Sequence, residues 1–345
     1  MKVLFIGLGS IGQRHLQNFN ELRPEYSTVL AYRTSKSDKV IKNGNVIPNK
    51  KLSQYYNLIE FSDLNKAICE HPDIAFICNP SRLHLETALK LAENNIHLFI
   101  EKPLATSLSS LDDLDKCIDK NVLINMVGYQ TRFNPLVLEA RNHIKSLEYG
   151  EIIKAEFKWH TYLPDQHPYE DYRRGYAARK DLGGGVTFSL IHELDLIQWF
   201  FGLPISVYSV KGGPSKLKID ADDNISAIFN CYNGLHLFPV QLSLSFTQKF
   251  EERYFNVLMQ DALLKVDLVK NEIEIIEHTT NRHYHKKKED FERNSLFKDE
   301  MEEFITAVEN NQKTSIPISE GKKSVIMAIS MIKSFNKNII VNISL

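Results

Sequence analysis

The first residues with the types and spacing for chemistry are Gly7, Gly9 and Gly12, in the pattern G-x-G-x-x-G directly after an apolar run. Gly7 permits a tight turn, Gly9 lets a pyrophosphate approach the backbone, and Gly12 lets the following helix pack close to the strand. Ser10 and Ile11 open that helix, whose unpaired N–H groups attract a phosphate. The pattern predicts a dinucleotide site; the alternative is an ordinary strand–helix turn that holds three glycines.

A second group of polar residues follows about 20 residues later, where a dinucleotide fold usually has a carboxylate for the adenosine ribose. This position holds Arg33, Thr34 and Ser35, followed by Lys36, and the first acid is Asp38. An arginine with hydroxyls and a lysine nearby can hold a 2′-phosphate, which predicts NADP in preference to NAD. The alternative is that Arg33 stacks on adenine or faces solvent.

Lys102 stands in the triplet Glu101-Lys102-Pro103, directly after the apolar run 97–100. The carboxyl ends of parallel strands are where ligands bind, and Pro103 biases Lys102 away from helix. An ammonium near the positive ring of a nicotinamide would have a lowered pKa and could exchange a proton with a substrate hydroxyl. For a single lysine, the alternative is a solvated surface charge.

The last such group is His192, Glu193 and Asp195, which lie in an apolar segment after Gly183-Gly184-Gly185. The segment predicts a deeply buried helix, in which polar side chains cost free energy unless they are paired or functional. We predict that His192 is an acid–base or substrate-orienting residue. A core histidine paired with a carboxylate is the alternative.

The elements that must position these residues change character along the chain. Short apolar strands and helices alternate at first, which predicts an α/β, doubly wound parallel sheet of the Rossmann type. From Glu151 the period of the pattern becomes two, which predicts an α+β domain with a large, mostly antiparallel open sheet. We place a dinucleotide-binding domain at 1–124 and a substrate-binding and oligomerisation domain at 125–345. The charge-rich run 278–293 predicts a solvated edge hairpin or loop.

Composition bounds the class of protein. The chain has 345 residues, 43% of them hydrophobic and 25% charged, and a net charge of −1, which argues against nucleic acid or an anionic membrane as a partner. No apolar run approaches the ~18 residues of a membrane span, and we read no signal peptide. The four cysteines are scattered without zinc spacing, so we predict no metal site and a cytoplasmic location.

Several of these patterns occur together and in order: the glycine turn, Asn79-Pro80 followed by His84, the Glu101-Lys102-Pro103 triplet, the three glycines and His192. With them the chain resembles the Gfo/Idh/MocA oxidoreductases, relatives of glucose–fructose oxidoreductase and inositol dehydrogenase, over nearly its whole length. The resemblance implies that Lys102 is catalytic and binds substrate, and that Asn79, Pro80, His84, Glu101 and Lys102 itself belong to the cofactor site. It also implies a homo-oligomer, a dimer or a tetramer.

One departure from the family concerns the turn before His192. Many members have an aspartate four residues before this histidine, in a D-x-x-x-H pattern. Here Phe188 and Ser189 occupy that stretch, and Glu193 follows the histidine. This resembles a subgroup with a shortened turn, in which Lys102 and His192 would share the proton transfer alone.

Further candidates for substrate contacts come from two segments. Segment 128–135 resembles the family's crossover into the second domain, and its Tyr129 and Arg132 either face the cleft or brace the hinge. Tyr172 and Arg173 lie in a stretch rich in tyrosine, arginine and histidine, which suits a polyhydroxylated or anionic ligand.

These observations predict an NAD(P)-dependent oxidoreductase that acts on a hydroxyl or keto group of a sugar, a cyclitol or a nucleotide-linked sugar. One alternative is an enzyme of the same family that oxidises and re-reduces its substrate transiently during glycoside cleavage or epimerisation. The other is a sensor that binds a dinucleotide and a partner protein without catalysis.

Overall fold

The structure is a computed structural model that describes residues 1–25, 28–35, 37–42, 44–280 and 282–344. The chain divides into two compact units, the first formed by residues 1–129 and 294–322 and the second by the remainder. The division differs from the sequence-based boundary after residue 124. It lies later because Asn125–Gly128 is a strand of the first sheet, and a segment near the C-terminus returns to the first unit.

The first unit is built on a parallel sheet. Its strands are β1 (Val3–Ile6), β2 (Val29–Tyr32), β3 (Val40–Lys42), β4 (Asn45–Ile47), β5 (Leu58–Phe61), β6 (Ile74–Ile77), β7 (His97–Glu101) and β8 (Asn125–Gly128). Its helices include α1 (Ser10–Leu22), α2 (Leu52–Tyr56), α3 (Leu64–Ile68), α4 (His84–Ala92) and α5 (Leu111–Asn121). Among the described residues, six strands pair in the order β5-β2-β1-β6-β7-β8, all parallel, and β3 and β4 form a separate hairpin. The predicted Rossmann-type sheet is confirmed.

The central strands of this sheet are apolar throughout because helices cover both faces of such a sheet. Every residue of β1 and β6 is buried. Between β2 and β6 the sequence is polar, and it forms the short strands β3 and β4, then α2, and then the edge strand β5. The switch point between β1 and β6 follows from the strand order, so ligands are expected at the carboxyl ends of these strands.

The second unit is built on a larger sheet. Its strands are β9 (Ile152–Tyr162), β10 (Ser206–Lys211), β11 (Asn224–Tyr232), β12 (Leu237–Ser245), β13 (Thr247–Met259), β14 (Ala262–Asp267), β15 (Glu272–Glu277), β16 (His283–Lys287) and β17 (Val341–Asn342). Its helices include α6 (Pro135–Ser146), α7 (Leu163–Gln166), α8 (Val186–Ser189) and α9 (His192–Phe201). In the described part of the chain, nine strands pair in the order β16-β15-β14-β13-β9-β12-β11-β10-β17, antiparallel except for β12 with β9. The predicted mostly antiparallel sheet is confirmed, and the charge-rich run supplies its edge strand β16.

Two long helices end the chain, α10 (Arg293–Glu309) and α11 (Ile318–Lys337). Residues 294–322 belong to the first unit, where the segment between the helices bonds to β8: the Val127 N–H donates to the Ile316 carbonyl at 2.9 Å. None of the helices that the structure describes is long and apolar enough to span a membrane.

Candidate active site

The three glycines after β1 differ in how much space a side chain would have at each position. A Cβ on Gly7, whose φ is +84°, would lie 2.9 Å from the Asn79 backbone, and a Cβ on Gly12 would lie 2.1 Å from the Gly7 carbonyl oxygen. A Cβ on Gly9 would meet nothing within 4 Å. Gly7 and Gly12 are therefore required by close packing, whereas the space at Gly9 is open. This is the arrangement that lets a pyrophosphate approach the backbone.

The start of α1 is an electrostatically favourable position for an anion. Gly9 is its N-cap, no side chain caps the first turn, and that turn carries no acidic residue. The N–H groups and the positive end of the helix dipole therefore stay available for a phosphate, as Ser10 and Ile11 at this position were predicted to offer. Gln13 was not singled out from the sequence: it is buried, donates to the Leu8 carbonyl at 3.0 Å and accepts from the Ile41 N–H at 2.7 Å. Gln13 thereby braces the glycine turn.

The loop after β6 lies against the glycine turn and carries Asn79 and Pro80. The Asn79 side-chain amide donates to Thr87 Oγ1 at 3.1 Å, while its Oδ1 has no hydrogen-bond partner among the described residues. An unpaired buried acceptor beside the turn suits a ligand hydroxyl or amide. This orphaned oxygen and the open space at Gly9 both fit a dinucleotide.

His84 connects two loops of the site. Its ring is buried, with Nδ1 2.7 Å from the Pro103 carbonyl oxygen and Nε2 2.8 Å from the Asn79 carbonyl oxygen. Burial lowers the pKa of His84, against the opposing effect of these two carbonyl groups. Because both ring nitrogens face backbone oxygens, His84 serves the predicted cofactor site by holding the loops after β6 and β7 together.

Lys102 follows β7 and is half-buried, and its peptide bond to Pro103 is cis. Glu101 is buried beside it: Oε1 lies 2.6 Å from His15 Nε2, and Oε2 accepts a hydrogen bond from the Lys102 N–H at 3.1 Å. Both carboxylate oxygens are therefore used by the protein. Glu101 orients the triplet from inside the fold, and Lys102 is its residue at the carboxyl edge of the sheet.

Arg33 after β2 is held by acids. It donates to Asp38 Oδ1 at 2.6 Å and to Glu60 Oε2 at 3.0 Å, while Thr34 and Ser35 are exposed. The sequence led us to expect a guanidinium available to a 2′-phosphate, but two carboxylates now surround it and oppose an anion. Lys36, the other predicted cation, lies outside the described residues.

In the second unit, His192 begins α9 and is buried. Its ring lies 6.1 Å from that of Trp159, and the Arg253 guanidinium lies 3.8 Å from the Trp159 ring centroid. Arg253 also donates to Glu193 Oε1 at 2.7 Å. The Glu193 side chain, whose role the sequence left open, thus anchors the arginine that stacks on the tryptophan beside His192.

Arg132 and Tyr129, which were predicted to contact substrate, are both buried in the structure. Arg132 is 5% exposed and forms a bidentate pair with Asp195, with Nε and Nη2 at 2.8 and 2.7 Å from its oxygens. Its guanidinium also lies 5.0 Å from the Trp199 ring centroid. Tyr129 is 0% exposed. Burial of both side chains and the pairing of Arg132 favour the alternative that the sequence left open, in which they brace the fold, and their contact with a substrate stays a prediction.

Tyr172 and Arg173 lie in a short 3₁₀ turn of the second unit. Tyr172 Oη accepts from the Lys218 N–H at 3.3 Å, and Arg173 is exposed and paired with Asp171. That pair lowers the pKa of Asp171 to about 2. Their contact with a substrate remains a prediction.

The three glycines before α8 bring backbone close to backbone. A Cβ on Gly184 would lie 2.1 Å from the Tyr176 carbonyl oxygen, and one on Gly185 would lie 2.3 Å from Asp222 Oδ1. Asp222 in turn accepts from the Thr187 N–H at 2.9 Å, which holds the start of α8. The glycines therefore serve an approach to another segment of the chain, one of the two uses that the sequence allowed.

Comparisons with known proteins agree with these observations. The family model described as "Oxidoreductase family, NAD-binding Rossmann fold" of the Gfo/Idh/MocA proteins matches residues 1–129, and the model of the Gfo/Idh/MocA C-terminal domain matches residues 137–264. The two models together cover most of the chain, and the chain belongs to the Gfo/Idh/MocA oxidoreductase family. The family's dinucleotide is the ligand that the Gly9 space and the Asn79 oxygen fit.

Curated relatives share part of the chain. The 2,7-anhydro-N-acetylneuraminate hydratase of Escherichia coli K12 is 31% identical over 141 residues, which cover 41% of this chain and 37% of the relative. The scyllo-inositol 2-dehydrogenase (NAD(+)) of Bacillus subtilis is 24% identical over 60% of this chain and 56% of its own length. The levoglucosan dehydrogenase of Pseudarthrobacter phenanthrenivorans is 27% identical over 49% of each. The matched part thus spans about a third to just over half of these relatives.

Solved structures share the fold over the full length. A levoglucosan dehydrogenase in complex with NADH and L-sorbose superposes with a TM-score of 0.84 at 15% identity, covering 100% of this chain and 99% of that one. A UDP-N-acetylglucosamine 3-dehydrogenase from Acidithiobacillus ferrooxidans gives a TM-score of 0.75 at 18% identity over 98% of both chains. At these identities the likeness establishes the fold.

Proposed function

We propose that this protein is an NAD(P)-dependent oxidoreductase that acts on a hydroxyl or keto group of a sugar, a cyclitol or a nucleotide-linked sugar. One observation carries the proposal: the glycine turn, Asn79 and Lys102 follow three adjacent strands, β1, β6 and β7, at the carboxyl edge of one parallel sheet. A phosphate-binding turn and a cationic acid–base residue are thereby held on one rigid scaffold. The dehydrogenase names of several relatives support the same reaction class.

The chain's own residues have separable tasks. When bound, a nicotinamide dinucleotide supplies or accepts the hydride. The N–H groups at the start of α1 hold the pyrophosphate, and the Asn79 oxygen accepts a hydrogen bond from the same ligand. We assign to Lys102 Nζ the proton that the substrate hydroxyl loses or the keto oxygen gains. We assign to His192 a second acid–base or orienting role.

The proposal is tested by ligand titration and turnover. Purified protein is titrated with NAD(H) and NADP(H), and nicotinamide absorbance is followed with a panel of sugars, cyclitols and sugar nucleotides. Turnover of one of these substrates, lost on Lys102→Ala while cofactor binding persists, supports the proposal. Failure of either cofactor to bind contradicts it.

A second candidate is the transient-redox enzyme that the sequence analysis left open, and the hydratase among the relatives, 31% identical over 141 residues, supports a reaction without net oxidation. An enzyme of this second kind would oxidise and re-reduce its substrate within one cycle, leaving no net change in the nicotinamide. Cofactor that stays bound through purification, with product formed at constant absorbance, would favour this reading. Lys102 keeps its proton-transfer role in both.

We also propose that the protein is a cytoplasmic homo-oligomer that contacts through the outward face of the large sheet. Leu237 and Tyr232 are opposite each other on β12 and β11, and Ile228 lies on the same strand as Tyr232. All three are exposed, Leu237 by 58%. Exposed apolar groups clustered on a sheet support a protein contact there.

A further inference from the structure

Glu300 lies in the middle of an aromatic layer of the first unit. Helix α10 presents Phe297, Glu300 and Phe304 at intervals of three and four residues, so they share one face of the helix. The Phe304 ring packs against Phe76 and Phe99 of the sheet, at 5.8 and 5.7 Å between centroids. Glu300 is 0% exposed. A glutamate therefore replaces the apolar residue that this position would ordinarily hold.

Two further polar side chains converge on Glu300. His15 of α1, Glu101 at the end of β7 and Glu300 each bring one nitrogen or oxygen atom to within 4.8 Å of the others. His15 Nε2 and Glu101 Oε1 are 2.6 Å apart, the length of a hydrogen bond. Neither oxygen of Glu300 has a hydrogen-bond partner in the described part of the chain. His15 Nε2 and Glu101 thus pair with each other, whereas His15 Nδ1 and both oxygens of Glu300 have no hydrogen-bond partner among the described residues.

The surroundings of Glu300 indicate its protonation state. A buried carboxylate without a partner is far more costly than a neutral carboxylic acid, so such groups take up a proton. A second carboxylate close by acts in the same direction. Burial above all, and then the charges of Glu101 and Glu303, raise the pKa of Glu300 well above its usual range. Burial above all raises the pKa of the neighbouring Cys78 thiol, and the Glu101 carboxylate acts in the same direction.

We propose that Glu300 is a neutral carboxylic acid in the folded protein, and that it is a positioning residue for Lys102 through the His15–Glu101 pair. A charged Glu300 would compete with Glu101 for the His15 N–H. A neutral Glu300 leaves Glu101 as the carboxylate that His15 holds, and the other oxygen of Glu101 accepts from the Lys102 N–H at 3.1 Å. The effect on turnover rests on the proposed function, whereas the protonation of Glu300 does not.

A divalent metal ion is the competing occupant, since a histidine and two carboxylates are metal ligands. The geometry favours the proton. Ligand atoms bound at about 2.0–2.2 Å to one tetrahedral metal lie roughly 3.4 Å apart, which is wider than the 2.6 Å between His15 Nε2 and Glu101 Oε1.

Infrared spectroscopy tests the protonation directly. At neutral pH the wild-type protein should show the C=O stretch of a protonated carboxylic acid. Glu300→Gln should lose this band, and the control Glu302→Gln should keep it, since Glu302 lies on the same helix but is partly exposed and paired with Arg23. A wild-type spectrum without the band, or one equivalent of metal found by elemental analysis of the purified protein, would overturn the proposal.

The pH dependence of stability gives a second test. Because the folded-state pKa is raised, unfolding releases the proton above about pH 4.3, and wild type loses stability as the pH rises toward that folded-state pKa. Between the unfolded-state and folded-state pKa values, the ratio of the wild-type folding equilibrium constant to that of Glu300→Gln should fall about tenfold per pH unit. The groups that face Glu300, His15, Glu101, Glu303 and Cys78, are common to both proteins. Urea unfolding at several pH values measures the difference, and a difference independent of pH would overturn the proposal.

The positioning role has its own readout. Glu300→Ala should lower kcat by about tenfold while the dissociation constant for the cofactor is unchanged, and the isosteric Glu300→Gln should restore kcat. Equal loss in both variants would overturn the positioning role. If Lys102→Ala keeps full turnover, the proposed function fails, yet the infrared and stability tests still decide whether Glu300 is neutral.

Discussion

The two units stabilise their buried acids in opposite ways. In the second unit, Asp195 is paired with Arg132 and Glu193 with Arg253, each at 2.7 Å for the shortest contact. In the first unit, Glu300 is just as buried, but no hydrogen-bond partner reaches it from the described residues. A buried acid can be compensated by a cation, which fixes its charge, or by a proton, which removes it, and the proposal for Glu300 is the second case.

The same comparison distinguishes residues that a ligand can contact from residues that are already paired within the protein. Arg132 and Arg253 are committed to ion pairs with Asp195 and Glu193. In the first unit, the space at Gly9 and the Asn79 oxygen at the carboxyl edge of the sheet are open to a ligand. Arg33, which is paired with Asp38 and Glu60 near the surface, is intermediate between the open groups and the paired ones. Solvent or a ligand can replace one of these carboxylates as the partner of the guanidinium.

The largest expected effect comes from breaking a buried pair. Arg132→Ala leaves the Asp195 carboxylate buried without its main partner, which should cost about 3–5 kcal/mol of unfolding free energy. Thermal or urea unfolding measures this loss. Arg173→Ala is the control, because its pair with Asp171 is exposed, and its stability should be close to wild type. A loss from Arg132→Ala as small as that of the control would contradict the comparison.

A smaller effect is expected at the exposed pair of Arg33. Once a 2′-phosphate has replaced Asp38 or Glu60 as the partner of the guanidinium, Arg33→Ala should weaken NADP(H) binding selectively, by roughly 1–3 kcal/mol, as a lost charge-assisted contact. Asp38→Asn with Glu60→Gln frees the guanidinium and should raise the affinity for NADP(H) relative to NAD(H). Titration of both cofactors against the three proteins measures the ratios. Wild-type binding of NAD(H) that equals or exceeds that of NADP(H) would contradict the preference predicted from the sequence.

The features of the fold and the site that could be predicted from the sequence are those that depend on adjacent residues. The glycine turn, the strands β1 and β7 and the burial of α9 follow from adjacent residues, and these predictions are confirmed in the structure. The bracing role of Arg132 depends on Asp195, 63 positions away. Both an exposed ligand-binding arginine and a buried paired one have the same sequence signature, so packing alone decides between them.

Glu300 and Gln13 were missed for a related reason. A glutamate in a charged, amphipathic helix such as α10 ordinarily faces solvent, and only the spacing of Phe297 and Phe304 indicated that position 300 faces inward. Gln13 directly follows the third glycine, but its contact with Ile41 is apparent only once the hairpin β3–β4 is placed.

The smallest expected change in stability concerns the outer face of the large sheet. Leu237→Glu replaces an exposed side chain and should alter the unfolding free energy of the chain by no more than about 0.5 kcal/mol. It should nevertheless dissociate the proposed homo-oligomer, since a charge would enter an apolar contact. Light scattering after size exclusion measures the mass. A wild-type protein that is a stable monomer at micromolar concentration would count against the oligomer.

The proposed proton transfer by Lys102, at the carboxyl edge of the parallel sheet, is open to a direct test. Turnover and cofactor affinity are compared for wild type, Lys102→Ala and the control Lys66→Ala, an exposed lysine on α3 of the same unit. Lys102→Ala should lower turnover by about 10²–10⁴-fold with little change in cofactor affinity, because the start of α1 holds the pyrophosphate. His192→Ala should act in the same direction, and Lys66→Ala should match wild type. Full turnover in Lys102→Ala would contradict the account.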